Sequence, residues 1–531
     1  TFRSGRIDVG DSLGNTSIGA GAGDAYTTGG SNVAIGKDAL TASTTGANNT
    51  AVGRFALTTN TTGTRNVAIG DQALELNATT NYNTAVGYSA LENNIASNNT
   101  SIGYKALEAN TTGAENVAVG YQALDANTTG ANNIAIGREA LGANTTADGN
   151  TAIGDVALYD NTTGAANVAV GKNALANNTT ASNNVAVGYD ALTANTTGTQ
   201  NVAVGNYVLT ANTTGNNNTA VGYYALKDSS GGNNSALGRT ALQQNTTGTN
   251  NTGLGYGSLN ANTTGGGNVA VGSNALATQT TGSENTAVGY EALKLATGSD
   301  ADYNTAVGSE ALKATTDGDR NVAVGWRALT SNTTGEKNTA IGIESLYTST
   351  TADNNTAIGR RALYSSTTGS NVTAVGCNAL YNNSTGAQNT AVGMQAMELN
   401  TTGGQNTALG EGALKANTTA SNNTAVGQEA LTANSTGAQN TAVGKNALAA
   451  NTTGDGNVGV GYIALQDITT GGYNVAIGYY AGKDITTGGE SVAVGQNALR
   501  TATTSGFNIA VGANALYANT GGHANVAVGH K

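Results

Sequence analysis

Small, apolar and polar residues return along this chain at a fixed step. The triplet Ala-(Val/Ile)-Gly, sometimes with Leu at its centre, places a Gly at 36, 53, 70, 87, 103, 120, 137, 154 and so on to Gly512 and Gly529. Twenty-nine steps cover the 493 residues from Gly36 to Gly529. Two are 16 long (Gly87 to Gly103, Gly222 to Gly238) and one is 19 (Gly289 to Gly308), so the mean is 17. A typical unit reads Asn116-Val117-Ala118-Val119-Gly120-Tyr121-Gln122-Ala123-Leu124-Asp125-Ala126-Asn127-Thr128-Thr129-Gly130. β-Branched residues alternating with period two, two Gly in most units and Asn-Thr-Thr-Gly turn chemistry predict short strands joined by tight turns, and exclude helix. The Gly seven residues before the anchor Gly (Gly63, Gly113, Gly130, Gly164) is expected to supply a positive φ, although Ala147, Ala181 and Ala420 replace it. A 17-residue unit is too small to fold alone, so stacked neighbours must share a core. The fold expected is all-β, a parallel β-solenoid of about thirty coils. Residues 1–31 read as irregular first coils, and 32–531 as the continuous repeat.

Alternate residues of the first strand point to opposite faces, Asn116, Ala118 and Gly120 to one and Val117 and Val119 to the other. The Asn four before the anchor occurs in 28 of 30 coils, with Val372 and Ser491 as exceptions. A polar residue so regular reads as a buried hydrogen-bonded ladder that sets register, represented by Asn66, Asn116, Asn167, Asn201 and Asn218. Small Ala and Gly suit the interior of a thin coil. Val and Ile, and the Leu of a second strand, are then expected to point outward. Such a stripe exceeds the few hundred Å² a soluble monomer shows, and the simplest cover is copies of the same chain around a rod about 140 Å long. The reverse assignment, with Val, Ile and Leu inside and Asn outside, permits a monomer and stays open at this point.

Composition narrows the function classes. Charged residues are 10%, Gly numbers 76 and Pro is absent, as suits a backbone whose N–H groups are committed to ladders. The net charge of −11 with scattered Lys and Arg argues against nucleic acid. A single cysteine, Cys377, builds no disulfide framework. No apolar run approaches a membrane span, so no direct membrane insertion is expected of these residues.

Segments such as Asn66-Val67-Ala68-Ile69-Gly70 and Asn474-Val475-Ala476-Ile477-Gly478 resemble the YadA-like head repeat of trimeric autotransporter adhesins, and similar repeats occur in phage tail-fibre proteins. The likeness covers essentially the whole chain. It implies a left-handed β-roll, a homotrimer packed through Val/Ile faces, and binding to host matrix or cells. The 17-residue coil is longer than that family's usual one, and no coiled-coil stalk or membrane anchor is present.

Candidate chemistry is sparse. His523 and His530 sit together at the C-terminal end, and Cys/His clusters and calcium nonapeptides are missing, so no catalytic, cofactor or metal site is expected. Glu291 and Glu310 occupy equivalent positions on successive coils. Paired carboxylates serve glycosidases, but without long insertions they read as solvated surface. A tyrosine row follows the anchor Gly at Tyr88, Tyr104, Tyr121, Tyr189, Tyr223, Tyr256, Tyr290, Tyr462 and Tyr479. It reads either as a contact row for a glycan or protein of a host surface, or as an internal ladder. Asn-Thr-Thr also makes repeated glycosylation sequons. The reading is a non-enzymatic shaft of an extracellular surface fibre, giving reach and multivalent adhesion; the alternative is a virion tail fibre recognising a host receptor. The chain stops inside a coil at His530-Lys531, so more protein is expected to follow.

Overall fold

The structure, a computed structural model, describes residues 10–298 and 301–531. Among the described residues it contains 31 strands of three residues each and no helix. The chain is an all-β parallel solenoid of about thirty coils of about 17 residues, and it divides into two compact units, Thr1–Thr264 and Gly265–Lys531. The first unit holds β1 (Thr16–Ile18) to β15 (Thr252–Leu254), and the second β16 (Val269–Val271) to β31 (Val526–Val528). Within each unit consecutive strands pair in parallel without slippage, as where Val117, Ala118 and Val119 lie opposite Ile134, Ala135 and Ile136. Fifteen strands at about 4.8 Å make the first unit a stack about 70 Å long.

Regular pairing reaches back to β1, where Thr16 lies opposite Val33, inside the segment 1–31 read as irregular. Residues 1–9 of that segment lie outside the described residues. The irregular part that is described meets the first ladder Asn through Asp11. Asp11 Oδ1 accepts the Asn15 N–H at 2.9 Å, the place an Asn of a preceding coil fills elsewhere, and Asp11 Oδ2 accepts Asn15 Nδ2 at 2.8 Å.

The two faces of the strand are now distinguished. Asn116 and Ala118 have no accessible surface, whereas Val117 and Val119 are half-buried on the outer face. Asn116 Oδ1 accepts the N–H of Asn133 one coil on, at 2.9 Å, and Asn116 Nδ2 donates to Gly130 O at 2.9 Å. Asn66, Asn167, Asn201 and Asn218 repeat this geometry. Each carboxamide thus spends donor and acceptor on the neighbouring turn of chain, as burial of an amide requires.

A second, less regular ladder runs through the turn, with Asn in 19 of 29 coils. The Asn seven residues after the anchor is fully buried from Asn60 to Asn451, and partly exposed at Asn519. Asn127 Nδ2 donates to Asn110 Oδ1 and to Gly130 O, both at 2.9 Å, and Asn144 Nδ2 repeats the bond to Asn127 Oδ1. Near the C-terminus this position turns apolar, with Ile468, Ile485 and Ala502 buried instead.

Three expectations are corrected. Leu does not point outward: Ala123 and Leu124 are both fully buried. The alternation rule fails because no second strand exists there. Gln122 and Leu124 adopt left-handed backbone, φ 50° and 58°, in a turn that carries both Ala123 and Leu124 inward. Left-handed conformation is costly for residues with a Cβ, and full burial together with the bond from Leu124 N–H to Ala140 O at 2.9 Å offsets it. Positive φ also falls elsewhere than expected. Gly113 and Gly130 lack it, whereas the anchor Gly120 has φ 145°, and a Cβ there would lie 2.3 Å from Gly137 O.

Two tests follow from this packing. A Cβ would crowd a carbonyl at both positions, Gly137 O from Gly120 and Ala147 O at 2.4 Å from Gly130, but only Gly120 has a positive φ, so Gly120→Ala should cost about 1–3 kcal/mol more than Gly130→Ala. Hydrogen exchange in the flanking coils reads the difference. The two gaps in the first ladder are also unequal. Ser491 Oγ still accepts the Asn508 N–H at 3.3 Å, but Val372, itself bonded through its N–H to Asn355 Oδ1, offers the Asn389 N–H no side-chain acceptor. Val372→Asn should slow exchange of the Asn389 amide by up to about tenfold, the worth of one hydrogen bond of about 0.5–1.5 kcal/mol.

Candidate functional surface

The outer strand face is chemically uniform. Position one of each strand is Thr, Val, Ile or Ser and position three is Val, Ile or Leu, so no strand carries a charged or aromatic residue. Ile69, Ile102 and Leu237 expose 41%, 41% and 48% of their surface there, more than a buried core residue shows. Among the described residues, charge and aromaticity lie outside the strands.

The tyrosine row lies on a turn. Tyr88, Tyr104, Tyr121, Tyr189, Tyr223, Tyr256, Tyr290, Tyr462 and Tyr479 are all exposed, but most are not isolated. Tyr88, Tyr104 and Tyr121 stack in sequence at 5.4 and 5.3 Å, and Tyr462 stacks on Tyr479 at 5.3 Å. Ring faces between neighbours are therefore engaged, and edges and hydroxyls are what these stacks present outward. Tyr256 lies 6.0 Å from the Arg239 guanidinium. A second row escaped the sequence reading, five residues after the anchor: Tyr347, Tyr364 and Tyr381 stack at 5.0 Å with interplanar angles of 6° and 4°. Aligning each coil on its anchor at this position would have revealed it.

Glu291 and Glu310 are not the solvated pair expected. Glu291 is only 7% exposed and forms two ion pairs, to Lys294 and Lys313, each 2.7 Å. Glu310 takes Lys313 at 3.2 Å and Arg327 at 2.7 Å. Stacking equivalent positions would set Glu on Glu; Lys313 bridges the two carboxylates and relieves the repulsion. Hydrogen bonds from Lys294 and Lys313 hold the Glu291 carboxyl at about 2, and Arg327 lowers that of Glu310. A glycosidase general acid needs the opposite shift.

Recesses interrupt the surface. One of about 450 Å³ lies at the shortened coil, lined by Thr214, Asn216, Asn217, Ser230, Asn233 and Thr247 among others, without a titratable group. Another, about 170 Å³, is lined by Gln122, Asp125, Glu139 and Tyr159. Burial raises the Asp125 carboxyl, while Glu139 pairs with Arg138 at 2.8 Å. His523 serves the backbone, its Nδ1 accepting the Gly506 N–H at 3.1 Å. Cys377 lies partly exposed beside Arg360. Among the described residues no group of three or more His, Cys, Asp or Glu could hold a metal ion.

The Glu291 pairing has a pH signature. Because its folded value is depressed to about 2 from an ordinary 4.5, the stabilisation is fully present above about pH 4.5 and is lost as pH falls toward 2. Hydrogen exchange of the coils around Glu291 should accelerate across that window more than exchange around Asn201, and Glu291→Gln should remove the excess.

No protein-family model matches this chain, and no curated protein matches it.

Proposed function

We propose that the chain is the structural shaft of an extracellular surface fibre, in which copies associate through their outer strand faces and many weak contacts along the repeat give adhesion. The observation that carries this reading is the strand face itself, uncharged and aliphatic or hydroxylated in every coil. With about 10 Å of strand width over about 70 Å of stack, one unit's face measures about 700 Å², close to one partner's share of a standard interface at about 800 Å². Association of three copies is what the resemblance to the head repeat implies. Repetition supports adhesion by multiplicity, since each coil presents nearly the same surface and linked weak contacts gain strongly from effective concentration.

Sedimentation velocity tests the association. A trimer is expected, and Val119→Asp with Ile136→Asp should shift the protein to smaller species while its β circular-dichroism signal persists. A stable, monodisperse monomer of the unaltered chain at micromolar concentration would reject it.

A further inference from the structure

The sequon Asn-x-Thr is abundant here, and the fold sorts its copies into two classes. The most frequent copies belong to the Asn-Thr-Thr turn. Their Asn residues, such as Asn60, Asn127 and Asn195, have no accessible surface. Both amide hydrogens of Asn127 are engaged, to Asn110 Oδ1 and Gly130 O. A sugar on that nitrogen would have to replace one of those bonds and occupy space already filled by the next coil.

A second class lies five residues before the anchor, where Asn-Asn-Thr begins at Asn48, Asn98, Asn217, Asn250, Asn354 and Asn422. All six of these Asn are exposed. Each adopts left-handed backbone, φ 58° to 65°, a conformation Asn tolerates better than most residues. The backbone is pinned to a neighbouring coil, as in Asn98 N–H to Asn81 O at 3.1 Å, while the side chain faces solvent. The Thr two residues on, such as Thr100, opens the strand on its outer face and is partly exposed. Acceptor amide and recognition hydroxyl thus lie together on one edge. The same position carries sequons at Asn233 and Asn371, also exposed, and Asn177 is an exposed sequon on the turn.

We infer that the folded chain is an acceptor for N-linked glycosylation at this edge, and that folding closes the Asn-Thr-Thr copies. The donor class is a nucleoside-diphosphate hexose, used by a transferase that recognises Asn-x-Ser/Thr. The Asn98 Nδ2 attacks the anomeric carbon, a C–N bond forms and the carbon–phosphate oxygen bond breaks. The electron pair leaves with the nucleoside diphosphate, and the nitrogen's proton passes to a base of the transferase. The order of events matters. Sugars added after folding stay on the edge, whereas sugars added to Asn127 before folding prevent its coil from stacking.

The test uses a soluble Asn-x-Ser/Thr transferase with UDP-glucose, acting on the native full chain and, separately, on its proteolytic peptides, with sites read by peptide mass mapping. In peptides, Asn98 and Asn127 should both gain hexose. In the native chain, Asn98 and its equivalents should be modified at least tenfold more than Asn127, Asn60 or Asn195. Thr100→Ala should abolish hexose at Asn98 and leave Asn48 and Asn217 unchanged. Comparable modification of Asn127 in the native chain would overturn the inference, as would a native Asn98 that stays unmodified although its peptide reacts.

Discussion

Everything in this fold depends on one constraint: each coil rises by a single strand spacing, so every position lies directly over its own equivalent. The anchor Gly enforces the closeness, since its α-carbon faces the carbonyl of the next anchor with no room for a side chain, as at Gly120 over Gly137. Residues therefore meet their own kind. A side chain that can satisfy itself against a copy of itself is favoured at every coil, and one that repels its copy is not.

This rule accounts for the chemistry of the interior and of the turns. Asn carries both a donor and an acceptor and can ladder indefinitely, so it occupies two buried positions where an aliphatic core would be expected. Tyr stacks on Tyr at about the coil spacing, as at Tyr347, Tyr364 and Tyr381. Thr hydroxyls bond the carbonyl of the equivalent Thr one coil on, as Thr111 does to Thr128. Charge cannot ladder alone. The 10% charged content fits that limit, and where Glu291 and Glu310 do stack, Lys313 is placed between them. Buried Asn lies beside buried Ala and Leu in the interior, while the outer strand face carries Thr, Val and Ile, and this mixture sets the coil apart from an ordinary domain.

Much of this was legible in the sequence because the period is so regular. The step of 17, the strand at Asn-(Thr/Val)-Ala-(Val/Ile), the division of its two faces and the Asn116 ladder all follow from spacing and from the rule that buried amides must be paired. What the sequence hid lies in the turn. Alternation would turn Leu124 outward, but alternation holds only for extended backbone, and a left-handed residue at Gln122 and another at Leu124 break it. Nothing in Gln or Leu announces that conformation, which the stacking of whole coils imposes. The Asn127 ladder is hidden because Asn-Thr-Thr-Gly has the composition of a solvated turn, and only its burial reveals it as core. For the same reason Glu291 looked solvated until Lys294 and Lys313 were seen to cover it.

By itself, then, the sequence determined the architecture of the repeat, since a 17-residue unit with one short strand has no way to bury its Ala and Asn except against copies of itself. Tertiary structure decided which side chains are inside the turn, which sequons are open and which carboxylates are paired. Those depend on backbone sign and on the neighbour one coil away, and neither is written in any single copy of the repeat.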